Sequence, residues 1–227
     1  MIKHLINRIA GLLSIKRRMF IAPKACEETP VTISYAITVC NEADQLRHLL
    51  DFLRTYCIEG DEIVVQADRA NVTDAVREVV RSYPDIRYIE HDLHLDFAQA
   101  KNHLNEQCRG EWIFQLDADE CPQRWLMEHM RAILHANPVE LIKIPRINLF
   151  LDSKGAVTEH HVAWPDYQGR LYRNEPQHIS WRRPIHEKIY GHKSYIYLPK
   201  EDLYAIRHLK TKEQDLKKWQ IWKEQYL

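Results

Sequence analysis

The sequence lacks the features that would assign it at once to several common functional classes. It has no excess charge of either sign, because 32 Lys+Arg balance 32 Asp+Glu. A formal net charge of +0 argues against a general electrostatic hold on nucleic acid or on an anionic membrane, although it leaves room for a local basic patch. No apolar run reaches the length of a membrane-spanning helix. The 227 residues, 45% of them hydrophobic, are enough for one sizeable core.

Cysteine is also scarce and shows no functional spacing. The chain has 5 cysteines, and no two of them have the C-x-x-C spacing of a zinc or redox site. An odd number of dispersed thiols favours a reducing compartment, so we expect a cytoplasmic protein. The histidines at His91, His94, His160 and His161 have no cysteine at zinc-site spacing, and we interpret them as loop residues.

The first 20 residues combine apolar side chains at helical spacing with basic residues. They lack the uninterrupted apolar core and the small-residue cleavage site of a signal peptide. We therefore predict that residues 1–30 form a basic amphipathic helix and a linker. The helix would pack on the domain or bind a partner; the alternative is peripheral membrane contact through residues 1–20. Its apolar residues are Leu5, Ile6, Ile9, Leu12 and Leu13.

Short β-branched runs alternate with helical stripes over the following region. This alternation predicts an α/β fold with a mostly parallel central sheet and helices on both faces. After Phe150 the regularity fades into short strand-like pieces. We predict one domain over 31–212, divided into a nucleotide-binding half at 31–120 and an acceptor-side half at 121–212, and then a C-terminal helix at 213–227. The predicted strands are 33–39, 62–66, 86–89, 112–116 and 139–147; Thr73, Asp96 and Pro122 are predicted at helix starts.

Polar residues follow several of these strands at the point where each strand ends. In a parallel sheet the carboxyl ends of the strands meet at one edge, so these side chains are expected to share one crevice. Asp117 and Asp119 follow the fourth strand and are separated by one residue. Two such carboxylates can bind one hard divalent cation, which would in turn hold a diphosphate. A solvated acidic turn is the alternative interpretation.

Short motifs in a fixed order give the sequence a resemblance to a known enzyme family. The chain from about residue 32 to 212 resembles the family 2 glycosyltransferases. The motifs are ITVCNE (37–42), IVVQAD (63–68), FAQAKN (97–102), WIFQLDADE (112–120), PDYQGRLYR (165–173) and IHEKI (185–189). The resemblance implies a single Rossmann-like domain of the A-type glycosyltransferase fold. It also implies an inverting transfer from a nucleotide diphosphate sugar, UDP-linked, with Mn²⁺ or Mg²⁺ as cofactor.

The resemblance also implies roles for particular residues. Asp119 would ligate the metal most directly, with Asp117 and His208 as further ligands. An exposed histidine before a basic helix is the alternative interpretation of His208. One departure is the turn at 68–74, which replaces the family's small-residue turn and leaves the nucleobase open. The donor-binding residues would be Thr38, Asn41, Glu42, Asp68, Lys101, Asn102 and Asp117. Acceptor or sugar contacts would come from Trp164, Gln168, Arg170, Trp181 and His186.

Inverting transfer needs a group that accepts the proton of the acceptor hydroxyl. Glu187 matches the family's His-Glu position, so we predict it as the base, with Asp166 as the second candidate and His186 as the third. An ion pair with Arg182, Arg183 or Lys188 is the structural alternative for Glu187.

Three other functions are alternatives to glycosyl transfer. A phosphotransferase with an aspartate nucleophile usually has its D-x-D motif after the first strand, whereas here it follows the fourth. A nucleotidyltransferase needs a loop after the first strand that is rich in glycine and basic. Residues 41–44 contain neither a glycine nor a basic residue. A non-catalytic nucleotide-sugar-binding module would tolerate the loss of Glu187. The alternatives for the acceptor are a glycan, a lipid-linked glycan, a protein and a modified nucleic acid.

Overall fold

The computed structural model describes residues 2–24, 31–151, 157–159 and 164–211. The predicted helix at 213–227, Cys26, His160 and His161 lie outside these ranges. Helix α1 (Ile2–Leu12) comes first, and it is shorter than the predicted helix. Residues 16–21 instead run extended along the body of the protein, where the backbone of Lys16 and Arg18 pairs with Tyr195. No helix in the described part of the chain is long and apolar enough to cross a membrane.

The first half of the sheet is parallel, as the sequence predicts. Its strands have the order β3-β2-β1-β4, with all neighbours parallel. Helix α3 begins as predicted at Thr73, whose hydroxyl accepts from Val76 N, and α4 begins at Asp96, whose carboxylate accepts from Gln99 N at 2.9 Å. The elements are β1 (Ile33–Val39), α2 (Ala43–Arg54), β2 (Glu62–Asp68), α3 (Asp74–Arg81), β3 (Arg87–His91), α4 (Phe97–Gln107) and β4 (Trp112–Asp117).

The second half of the sheet is mixed and contains more strand than the sequence predicts. Eight-residue β8 lies antiparallel between β4 and β6, although we predict only short pieces after Phe150. Pro122 lies in a strand, and the next helix begins at Arg124. The elements are β5 (Glu120–Pro122), α5 (Arg124–Ala136), β6 (Leu141–Leu151), β7 (Val157–Glu159), β8 (Asp166–Arg173), β9 (Ser180–Arg182), β10 (Lys188–Tyr190), β11 (Tyr195–Tyr197) and β12 (Ile206–Thr211).

Two apolar clusters cover the two faces of this sheet. The larger one packs α2, α3 and α5 on one face, and the leucine stripe of α2 is buried in it. The smaller one packs α4 and the β9–β10 hairpin on the other face, around Tyr172 and Trp181. Within the described ranges ten strands form one sheet, so the α/β class and the large central sheet are confirmed. Because β1, β2 and β4 are parallel neighbours, their carboxyl ends lie at the same edge of the sheet.

Candidate active site at the carboxyl ends of the strands

Asp117 is held by three polar neighbours at the end of β4. Thr38 lies opposite it in the register of β1, and its hydroxyl donates to Asp117 Oδ1 at 2.8 Å. Arg170 Nη2 donates to Oδ2 at 2.8 Å, and Lys101 Nζ lies 3.6 Å from Oδ1. Burial raises the pKa of Asp117, but Arg170, Lys101 and these hydrogen bonds outweigh it and hold the pKa well below its usual range. Asp117 is therefore an ionised group with both oxygens engaged.

Arg170 continues from Asp117 into a buried chain of alternating charges. It also donates to Glu120 Oε1 at 2.5 Å, and Glu120 accepts in turn from Arg146 Nη1 at 3.0 Å. Arg146 then pairs with Asp166 at 2.7 Å. Arg170 is 3% exposed and Glu120 1%, so Arg170, predicted as a sugar contact, lies beneath the site and supports it. The sequence predicts no role for Glu120 or Arg146; Glu120 adjoins the acidic motif, but no local pattern identifies Arg146.

Asp166, the second candidate base, is fully engaged by this chain of charges. Its Oδ2 accepts from Arg146 and from Asn148 Nδ2, and its Oδ1 accepts from Gln168 Nε2 at 2.6 Å. Burial raises the pKa of Asp166, while Arg146, Asn148 and Gln168 lower it further than burial raises it. A carboxylate with a lowered pKa and three donors is a poor proton acceptor, and its proposed catalytic role stays a prediction.

Asp119 and His208 meet next to this cluster. Strand β12 pairs with β5 and with β6, and this pairing brings His208 beside the acidic motif. His208 Nε2 lies 3.1 Å from Asp119 Oδ2, and both side chains are buried. On the other side of the ring, His208 Nδ1 lies 2.8 Å from Asn148 Oδ1. Asn148 Nδ2 already donates to Asp166, so its oxygen faces the imidazole, and Nδ1 carries the proton.

This tautomer makes the Asp119–His208 pair fit a bound cation. With the proton on Nδ1, a lone pair on Nε2 faces a carboxylate oxygen, and such a contact needs either a second proton or a cation to be favourable. Adjacent ligands of an octahedral ion with bonds of about 2.1 Å lie about 3 Å apart, close to the observed separation. Orientation of a ligating imidazole through its other nitrogen is typical of metal sites. Across the described ranges no group of three or more His, Cys, Asp or Glu side chains could hold a metal.

Glu187 reaches the same site from the β9–β10 loop. Its Oε1 accepts from Lys101 Nζ at 2.7 Å, so its ion pair is with Lys101 and not with Arg182, Arg183 or Lys188. Lys101 is 5% exposed, and its ammonium lies 4.7 Å from the centre of the Trp181 ring. Glu187, Lys101 and Asp117 therefore form one continuous charged group.

Helix α4 fixes the hairpin that carries Glu187. The Asn102 amide donates to the Trp181 carbonyl at 2.9 Å and accepts from its N–H at 2.8 Å. Phe97 N donates to the Pro184 carbonyl at 3.0 Å. Trp181 is buried, and its indole N–H donates to Tyr172 Oη. Asn102 and Trp181, predicted as ligand contacts, thus hold the hairpin in place.

The remaining predicted residues lie around this centre without joining it. Glu42 accepts from the backbone N–H groups of Cys40 and Asn41, and Asp68 accepts from Asn71 Nδ2 at 2.6 Å. Trp164 is half-buried, and His186 is exposed with a φ of 54°. The interpretation of His91 as a loop residue is wrong: it lies in β3 and stacks on His103, with ring centres 3.9 Å apart.

The chain is similar in sequence to proteins of known family. A family model described as Glycosyl transferase family 2 matches residues 34–195. The SPbeta prophage-derived glycosyltransferase SunS of Bacillus subtilis (strain 168) is 26% identical over 145 residues, which are 64% of this chain and 30% of SunS. The chain thus spans less than a third of that relative.

Solved structures show the same fold at lower identity. S. aureus TarS 1–349 in complex with UDP-GlcNAc aligns with a TM-score of 0.55 at 14% identity, over 79% of this chain and 58% of that one. A second structure of S. aureus TarS 1–349 aligns with the same TM-score over 82% of this chain and 62% of that one. These alignments confirm the expected A-type fold.

Proposed function

Because the chain belongs to glycosyl transferase family 2, we propose that it transfers a sugar from a nucleotide diphosphate sugar to a hydroxyl acceptor, with inversion at the anomeric carbon. The observation that carries the proposal is the Asp119–His208 pair, 3.1 Å apart beside the Lys101–Asp117 ion pair. We propose UDP as the nucleotide, following the UDP-GlcNAc complex of TarS, which shares the fold. We propose Mn²⁺ or Mg²⁺ as the cofactor.

Asp119 and His208 would hold this ion, and Asn148 would orient the imidazole. The ion, when bound, would stabilise negative charge on the departing diphosphate. We assign Asp117 a different task from its predicted ligation, because Thr38, Arg170 and Lys101 already engage its oxygens. Asp117 would hold the Lys101 ammonium where it can pair with the negatively charged phosphates of the donor.

Glu187 is our proposed base. Its Oε1 accepts from Lys101, which leaves Oε2 to take the proton of the acceptor hydroxyl. As that hydroxyl oxygen bonds to the anomeric carbon, the bond from that carbon to the diphosphate oxygen breaks, and the nucleotide leaves with the electron pair. No covalent intermediate with the enzyme is required. The buried indole of Trp181 keeps water from one side of Lys101 and so strengthens its interaction with both carboxylates.

The other predicted contacts remain proposals of the same kind. We assign the donor to the half at 31–120, with Asn41, Glu42 and Asp68 on the nucleoside side, and the acceptor to the half at 121–212. Trp164, Gln168 and His186 are the proposed acceptor contacts, and a glycan or lipid-linked hydroxyl is the proposed acceptor.

We also propose a reducing, cytoplasmic location. Burial raises the pKa of the Cys57 and Cys108 thiols to about 12 and that of Cys121 to about 11, which keeps them protonated.

Calorimetric titration of UDP with and without Mn²⁺ tests the metal site. Asp119→Ala and His208→Ala should abolish the part of the UDP affinity that depends on Mn²⁺, while Asn148→Ala should weaken it by about 10–100-fold. His103→Ala is the control, since this histidine stacks on His91 outside the proposed site. If Asp119→Ala bound UDP with the full Mn²⁺ dependence, the assignment of the metal would be wrong.

A further inference from the structure

Helix α1 is attached to the body of the protein through its polar side. The Asn7 side chain donates to the Met19 carbonyl and accepts from the Met19 N–H, both at 2.8 Å. Lys3 Nζ donates to the Phe20 carbonyl at 3.2 Å, and Ala10 is buried. Positions 3, 7 and 10 recur at helical spacing and form one stripe, so this stripe is the one that faces the protein.

The segment that holds the helix is itself fastened at both ends. Tyr195 in β11 exchanges two backbone hydrogen bonds with it, from Arg18 N at 2.8 Å and to the Lys16 carbonyl at 2.9 Å. Asn137, at the end of α5, accepts from Ile21 N at 2.8 Å, and Phe20 packs edge-on against Tyr204. These contacts fix the side of α1 that is turned away from the protein.

The side turned away is apolar. Large aliphatic residues recur there at helical spacing, and Leu12 is 86% exposed, Ile2 74% and Leu13 67%. A helix of a globular protein normally buries such a stripe against the core, and an exposed apolar patch of this kind marks a binding surface. The stripe consists of Ile2, Leu5, Ile6, Ile9, Leu12 and Leu13, and Ile15 follows it.

The charge around this stripe identifies its partner. Residues 2–24 contain six Lys or Arg and no Asp or Glu, although the whole chain is neutral. A second copy of the chain would bring the same cations together, and their repulsion opposes such a pairing. An anionic bilayer satisfies both features, because it receives the aliphatic side chains and attracts the cations. We propose that α1 and residues 13–20 dock the protein on an anionic lipid surface, with α1 lying in the interface.

The proposed surface lies at the opposite end of the sheet from the candidate active site. Tyr195 pairs with Leu141, at the amino end of β6. Strand β6 runs in the same direction as β4, since both are antiparallel to β8 between them. Asp117 and Asp119 follow the carboxyl end of β4. Docking through α1 would therefore place the bilayer toward the end of the strands that lies away from the site: Leu141 is level with Ile113, four residues or about 13 Å before Asp117 along the strand.

Flotation of the full chain with lipid vesicles tests the proposal. Vesicles of phosphatidylcholine with about 30% phosphatidylglycerol should bind the protein, and pure phosphatidylcholine should bind it at least about ten-fold less. Raising the salt from about 0.1 M to 0.5 M should release part of it. Leu5→Ser/Ile9→Ser and Arg8→Gln/Lys16→Gln should each lower binding about ten-fold or more.

Ile58→Ser is the matched control, because Ile58 is 47% exposed but lies outside α1, and it should bind as the wild type does. The altered side chains are exposed, so every variant should unfold at the same temperature as the wild type. This measurement would show that every variant is folded. Two results would overturn the proposal. The first is that the wild-type protein does not bind anionic vesicles, or that the variants bind them as well as the wild type does. The second is that the wild-type protein is a dimer in solution, that Leu5→Ser/Ile9→Ser dissociates this dimer, and that vesicles bind neither protein. This result would assign the stripe to pairing between copies of the chain.

Discussion

Replacing Arg170 with methionine removes the cation that joins Asp117 to Glu120 and keeps much of the side-chain volume. Breaking a buried ion pair by removing one partner typically costs about 3–5 kcal/mol, because the remaining charge stays buried. Here Glu120 retains Arg146 at 3.0 Å, and Asp117 retains Lys101 at 3.6 Å. We therefore expect a loss near the lower limit, about 3 kcal/mol, which corresponds to a fall in Tm of about 6–12 °C for a chain of this size.

Urea unfolding followed by tryptophan fluorescence measures this loss directly. Arg173→Met is the matched control, since Arg173 lies on the same strand and pairs with Glu111 at 3.4 Å, but both side chains are substantially exposed. The control should lose about 1 kcal/mol, from an exposed ion pair and the stacking of Arg173 on Trp112. If Arg170→Met lost no more than Arg173→Met, the buried chain of charges would not support the site in the way that the contacts indicate.

Two further predictions address the base and the packing of the sheet. Glu187→Gln should bind UDP and Mn²⁺ as the wild type does but lose transfer by about 10²–10⁴-fold, measured as product formation from a panel of nucleotide sugars and acceptors; wild-type turnover by this variant would exclude Glu187 as the base. Gly110→Ala should destabilise the fold by about 1–3 kcal/mol in urea, because the new Cβ would lie 2.6 Å from Ser34 N and 2.8 Å from Ile33 C, which are backbone atoms. Gly11→Ala is its control: the nearest atom there is 3.7 Å away at the end of the Arg18 side chain, so equal losses in the two variants would contradict the steric reasoning.

The first half of the fold is readable from consecutive residues. Strand β1 has the predicted bounds, because a short run composed mostly of β-branched and other apolar residues is already typical of a buried parallel strand. Thr73 and Asp96 cap α3 and α4 as predicted, since a cap depends on atoms three residues apart. The position of Asp117 and Asp119 after β4 follows from the same local pattern.

The second half depends on contacts that no local pattern contains. Strand β8 has few apolar residues and is a strand because β4 and β6 pair with both of its edges. Such pairing is tertiary, and it explains why only short pieces are predicted there. The helix that we predict over residues 1–20 exists in part, but the tertiary contacts of Lys3, Asn7 and Ala10 determine that its apolar stripe points outwards.

The sequence by itself determined the α/β class, the parallel strands and the candidate residues of the site, because periodicity, caps and strand ends are properties of neighbouring positions. Only the tertiary structure decided how those residues are used. It brought His208 to Asp119. The tautomer of His208 is set by Asn148, which is 60 positions away in the chain. It paired Glu187 with Lys101 across 86 positions and buried Arg170 under the acidic motif. Charge and hydrogen bonding act through space, so the strand register and not the spacing in sequence assigns these partners.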